Sequence, residues 1–99
     1  MSTSTTASTI SSPVLTGMRE EAQDLLRSLP EDLGGCHVVL DGHRTLAATP
    51  SFADEVVRIL LVERHADNLH AVAVGRKFGD WLTDAAKTHG VADKLDVEV

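Results

Sequence analysis

The sequence predicts an α/β fold whose sheet is mostly parallel. Two observations carry this. Short apolar runs alternate with stretches of helical period in the order α-β-α-β-α-β. Turn-forming residues separate each run from the next. Repeated units of this kind build a parallel sheet with helices packed on it.

The elements follow in chain order. Met18, Ala22, Leu25, Leu26 and Leu29 share one helical face, which predicts a helix over 18–29, ended by Pro30 and Gly34-Gly35. Cys36-His37-Val38-Val39-Leu40 is a compact apolar run closed by Asp41-Gly42, a strand over 36–41. Thr49-Pro50-Ser51 opens a second helix over 51–64, with proline at its start and a hydroxyl on either side. Phe52, Ala53, Val56, Val57 and Leu60 form its apolar face. Ile59, Leu61 and Val62 widen that face, so cover on more than one side is expected. Leu69 to Val74 is a second strand over 69–75, closed by Gly75. Phe78, Leu82, Ala85 and Ala86 mark a helix over 77–89, capped by Gly90. Leu95, Val97 and Val99 alternate with acids, a terminal edge strand over 94–99. Val14-Leu15 offers one further short strand near the start.

The first 18 residues differ from the rest: 10 are Ser or Thr and none is charged. Such a tract buries too little apolar surface to offset its ordering entropy, so residues 1–12 are expected to be a disordered tail and 13–99 the folded domain. It has neither the basic start nor the apolar core of a secretory signal.

Charge and composition exclude several function classes. With 9 Lys+Arg against 15 Asp+Glu the formal net charge is −6. Direct nucleic-acid binding runs on phosphate neutralisation and is not expected. No apolar run has the length of a membrane helix, and a single cysteine, Cys36, fits a reducing, cytoplasmic setting with no disulfide or cysteine-rich metal cage. No cofactor and no metal site are expected, since no pair of the five histidines has helical ligand spacing. His37 and His70 fall in strands and read as histidines with satisfied nitrogens.

In an open α/β sheet, ligands meet the carboxyl ends of the strands and the amino ends of the following helices. Three segments converge there: Asp41-Gly42-His43-Arg44, Thr49-Pro50-Ser51 and Gly75-Arg76-Lys77. Hydroxyls at a helix start and basic side chains beside them suit an anion. The plain structural alternative is that Thr49 and Ser51 cap a helix and that Arg76 and Lys77 are solvated loop charges. Ser51, His43 and Asp41 also supply the residue types of a hydrolase triad, without the strand-turn-helix elbow that such a serine needs. Trp81 sits beside the apolar row of its helix and is a candidate partner anchor.

The run from His37 to about Lys94 resembles the STAS domain shared by sulfate transporters and anti-sigma factor antagonists, and it is most similar to short bacterial STAS-like proteins. His-Val-Val-Leu-Asp at 37–41 resembles the central strand before the family's regulatory loop. Thr-Pro-Ser-Phe-Ala-Asp-Glu at 49–55 stands where the family has Asp-Ser-Ser-Gly-Leu-Gly, and Thr-His-Gly-Val at 88–91 resembles its turn after the last long helix. The resemblance implies a small STAS-like sandwich and a non-catalytic regulatory role. It implies a protein partner, a histidine-kinase-type ATPase or an anti-sigma factor, whose binding is switched by phosphorylation at Ser51. The implied binding edge comprises Asp41, His43, Arg44, Thr49, Ser51, Phe52, Glu55, Arg76 and Lys77. The chain departs from the family pattern at Thr49, Phe52 and Asp54, and Asp54 with Glu55 would repel an added phosphate.

Two other readings use the same edge. One is a module for a small anionic ligand or nucleotide; the other, ranked below it, is a small serine hydrolase using Ser51. The alternating C-terminal strand also leaves room for pairing across a homodimer.

Overall fold

A computed structural model describes residues 6–11, 15–16, 19–27, 29, 31–43, 45 and 47–98. Its elements are β1 (Thr6–Ser11), β2 (Leu15–Thr16), α1 (Arg19–Leu26), β3 (Cys36–Asp41), β4 (Ala47–Ala48), α2 (Pro50–Val57), β5 (Asn68–Val72), α3 (Arg76–Thr88) and β6 (Leu95–Glu98). The architecture is α/β, as the alternating pattern predicts. Four strands form one all-parallel sheet in the order β1-β3-β5-β6, and β2 pairs with β4 in a separate two-stranded ladder.

Parallel pairing in strict chain order requires a crossover between each pair of neighbours. The burial pattern places these crossovers together. Val38 and Leu40 of β3 and Leu69 and Ala71 of β5 are buried, whereas His37, Val39, Asp41, Asn68, His70 and Val72 are exposed or half-buried. Side chains alternate across a strand, so one face of the sheet carries the core and the other does not. The three helices form a single layer on the core face, α2 between α1 and α3. Phe52, Leu26, Leu33, Leu60 and Leu82 are fully sealed between sheet and helices.

The tail expectation fails over Thr6–Ser11. These residues pair with Cys36–Asp41 in parallel register, Thr6 with Cys36 and Ser11 with Asp41. β-branched Thr and Ile favour the extended backbone, and an edge strand needs only one neighbour's main chain to hold it. Uncharged Ser/Thr composition conceals such a strand. Val14 lies outside the described residues, while Leu15 does form a short strand, against Ala47.

Other boundaries shift for local reasons. The second helix begins at Pro50, with Thr49 as its cap, and its last six residues, Arg58–Glu63, wind as a π-helix. The Arg64 N–H donates to the Ile59 carbonyl, five residues back, at 2.9 Å. Ile59, Leu60 and Leu61 are all buried, as the widened apolar face predicts, but Val62, expected with them, is exposed. Arg64 then reaches back across the fold. Its guanidinium donates to the Leu26 and Leu29 carbonyls at 2.7 and 3.1 Å, satisfying acceptors that the end of α1 leaves open. The first helix accordingly stops at Leu26, short of 29. β5 stops at Val72 because Ala73 turns to φ +53, out of the extended region.

Two glycines are dictated by close approach. A Cβ on Gly42 would stand 2.9 Å from Val74 Cγ1 and 3.0 Å from the Val74 Cα. A Cβ on Gly79 would stand 2.9 Å from Val97 Cγ1, so this glycine lets α3 lie tight on β6. No helix among the described residues is long and apolar enough to cross a membrane.

Candidate functional site

The carboxyl edge of the sheet is built by the loops after β3 and β5. The chain leaves β3 at Asp41, and the Gly42 N–H donates to the Val72 carbonyl at 2.9 Å, which fastens the first loop to the end of β5. The absence of a side chain at Gly42 permits that contact. The Thr45 N–H closes a turn onto the Gly42 carbonyl at 3.0 Å.

His43 folds back on Asp41. Its backbone N–H donates to Asp41 Oδ1 at 3.0 Å, and its Nδ1 lies 2.8 Å from the same oxygen. The backbone N–H foremost, then the ring, holds the Asp41 carboxyl below the usual carboxylate range. No hydrogen bond joins His43 to Ser51 among the described residues, so the triad types are not assembled as a nucleophile and its base.

Thr49 and Ser51 have separate roles. Thr49 has extended backbone, and its Oγ1 accepts the Phe52 N–H at 3.2 Å, with Pro50 at the first helical position. It is the helix cap. Ser51 is exposed in the first turn of α2, and no hydrogen bond of its hydroxyl occurs among the described residues. Phosphoryl transfer to that oxygen would break no contact seen here.

Two residues expected at the binding edge are withdrawn from it. Phe52 is fully buried, and its ring meets that of Phe78 at a centroid distance of 5.9 Å and 56° tilt. Glu55 is 2% exposed. One turn along α2 it faces α1, where Gln23 Nε2 donates to it at 2.8 Å, and Arg58 donates from Nε at 3.0 Å and Nη2 at 2.7 Å. A helical period of 3.6 residues places 51 and 55 about 40° apart around the axis but a full turn apart along it, and the packing against α1 claims the second. Of the two acids expected to repel a phosphate on Ser51, Glu55 is therefore engaged elsewhere. Asp54 lies 2.9 Å from His89 Nε2, at the far end of α3. Arg44 lies outside the described residues.

The loop after β5 delivers the basic residues. Ala73 at φ +53 and Gly75 at φ +76 steer the chain into α3. Between this loop and the loop after β3 lies an open cleft of about 430 Å³, lined by Thr45, Ala48, Val74, Arg76, Lys77 and Trp81 among others. Gly75 gives α3 no side-chain cap and no acid stands in its first turn. Arg76 and Lys77 occupy that turn and are exposed. Cations at the positive end of a helix dipole disfavour the helix by about 0.3–1 kcal/mol each at low salt. The cleft thus concentrates positive potential that stability alone does not call for.

Thr45 and Ala48 are lining residues without a sequence signal; both lie in a stretch of no period. Trp81 did have one. It stands four residues after Lys77, one turn along the same face of α3. Elsewhere, His70 Nε2 lies 2.6 Å from Glu98 Oε2 on the uncovered face of the sheet, His37 is exposed, and Cys36 is a half-buried free thiol. No group of three metal-ligating side chains occurs among the described residues. Compared with protein-family models, curated proteins and solved structures, the chain finds no match.

Proposed function

We propose that the chain is a non-catalytic, cytoplasmic regulatory module of bacterial type. It binds a partner protein through the carboxyl edge of its sheet, in the manner of an anti-sigma factor antagonist. Ser51 is its switch. The partner class is a histidine-kinase-type ATPase or an anti-sigma factor, on the resemblance of segments 37–41, 49–55 and 88–91 to STAS domains. The observation that carries the reading is the division of labour at the start of α2. Thr49 supplies the cap, and Ser51 stands exposed beside it, its hydroxyl without a hydrogen bond among the described residues. A phosphate there would add about −1.5 to −2 charges to the edge without disturbing the core.

Affinity capture from extracts of the source cell, with mass spectrometry of retained proteins, tests this. Wild type and Ser51→Ala should retain an ATPase-fold or anti-sigma partner that Ser51→Asp releases. Retention of no protein, or equal retention by all three chains, overturns the proposal.

The cleft beside α3 favours a second reading, a module for a small anionic ligand. A site loaded at about 100 times its dissociation constant stabilises a fold by about 2.7 kcal/mol. A thermal-shift screen with nucleotides and inorganic phosphate separates this reading from the first.

A further inference from the structure

We infer that the cleft between Thr45 and Trp81 receives an acidic segment of the partner protein: a carboxylate beside Arg76 and Lys77, with a neighbouring apolar side chain against Ala48, Val74 and Trp81. The inference rests on reading the chain as a protein-binding module and names what the partner must present.

Charge complementarity is the first support. In a chain of net charge −6, three of the nine Lys and Arg side chains are engaged within the fold among the described residues. Arg27 pairs with Asp24, Arg58 with Glu55 and Glu63, and Arg64 holds the end of α1. Arg76 and Lys77 are adjacent and exposed, with no ion pair among the described residues, at the positive end of an uncapped helix. A carboxylate there meets two cations and the helix dipole together.

The floor of the cleft is the second. Alanine, valine and indole surface lies directly beside the cations. A bare inorganic anion would leave that surface in water, whereas an acidic residue next to an apolar one covers both halves. The cleft is also open, and small-molecule sites enclose most of their ligand, while a peptide segment continues past the groove that anchors it.

The third support is the link to Ser51. Phe52 follows Ser51, Phe78 follows Lys77, and their rings are in contact. The turn that carries the hydroxyl is thereby fastened to the turn that carries the cations. A phosphate on Ser51 places negative charge on the edge that the acidic segment approaches, and repels it.

The full-length chain should be panned against a phage-displayed library of random dodecapeptides. The Arg76→Gln/Lys77→Gln double variant, confirmed as folded by circular dichroism, serves for counter-selection. The expected consensus places Asp or Glu beside an apolar residue. A synthetic peptide of that consensus should change the emission of Trp81, the chain's one tryptophan, in a saturable way. It should bind the double variant at least about tenfold more weakly. Absence of enrichment, a consensus without acids, or equal binding to both chains overturns the inference. So does displacement of the peptide by equimolar inorganic phosphate or AMP, which would make the cleft a small-anion site. If the double variant keeps the captured partner while Ser51→Asp loses it, the acidic-segment inference falls and the binding-module reading stands. If wild type captures nothing, the module reading itself falls.

Discussion

The Arg58 guanidinium holds the Glu55 carboxylate at both oxygens, 3.0 Å from Nε to Oε1 and 2.7 Å from Nη2 to Oε2. Glu55 is nearly sealed, while a third of the Arg58 side chain meets solvent and also reaches Glu63. The asymmetry predicts unequal single variants. Arg58→Ala takes the guanidinium from a buried carboxylate and should cost about 3 kcal/mol in urea unfolding. The joint change Glu55→Leu/Arg58→Met replaces the pair by apolar volume and should cost less than Arg58→Ala alone. A double variant less stable than Arg58→Ala would refute this account of the pair.

Two glycine substitutions should differ in severity. Gly79→Ala gains helix propensity of about 1 kcal/mol, yet its methyl meets a Val97 side chain on an edge strand that can shift. A net loss of about 1 kcal/mol is expected, with faster amide exchange in β6. Gly42→Ala meets the backbone of Val74 as well as its side chain, and should cost about 2–3 kcal/mol. Thermal unfolding of the two variants side by side checks the order.

The start of α2 gives a cleaner contrast. Thr49→Ala removes the cap and should cost about 1 kcal/mol. Ser51→Ala removes no described contact and should stay within about 0.5 kcal/mol of wild type. Ser51→Asp adds a negative charge to the first turn, where the dipole favours it, so its fold should be at least as stable as that of wild type. Loss of partner binding by Ser51→Asp would then report on the edge and not on unfolding. Equilibrium denaturation of the three chains decides.

Asp41 sets an acid limit. His43 holds its folded-state carboxyl below the ordinary value of 3.8. The stabilisation is therefore complete above that value and disappears as pH falls through the lower folded-state value. Asp41→Asn should be less stable than wild type near pH 6, with the gap closing below about pH 4. A gap independent of pH between 6 and 2 would show that His43 does not tune this carboxylate. Carboxyl-carbon chemical shifts across the same range measure the titration directly.

β3 and β5 were legible as apolar runs closed by turn signals, and α3 because burial there follows a helical period that the sequence displays. In the fold Val38 and Leu40 alternate with exposed or half-buried neighbours, and Phe78, Leu82, Ala85 and Ala86 repeat at helical spacing. Parallel strands end on the same side, which is why Asp41, Ser51 and Arg76 were expected at one edge; of the three, Arg76 alone lines the cleft. β1 was not legible, because what orders Thr6–Ser11 is the main chain of β3 and not its own composition. Glu55 was misplaced at the edge for a related reason. Its burial depends on the packing of α1, which brings Gln23 to it from 32 residues away, and no local pattern announces that. The cleft itself was half visible: its cations and Trp81 are on one helix, while Thr45 and Ala48 come from a loop that only the folded chain brings opposite them.

Strands laid side by side in chain order make this fold a nearest-neighbour stack. β1 touches the sheet only through β3, and β6 only through β5. Each outer strand takes its main-chain bonds from one neighbour, while the helices and inner strands share a single core. The pairing of β3 with β5 involves neither outer strand. The two outer strands differ: β1 is held to the fold's sheet by β3, whereas β6 also lies directly on α3 at Gly79, so an event at the last strand reaches the helix that lines the cleft without passing through β5.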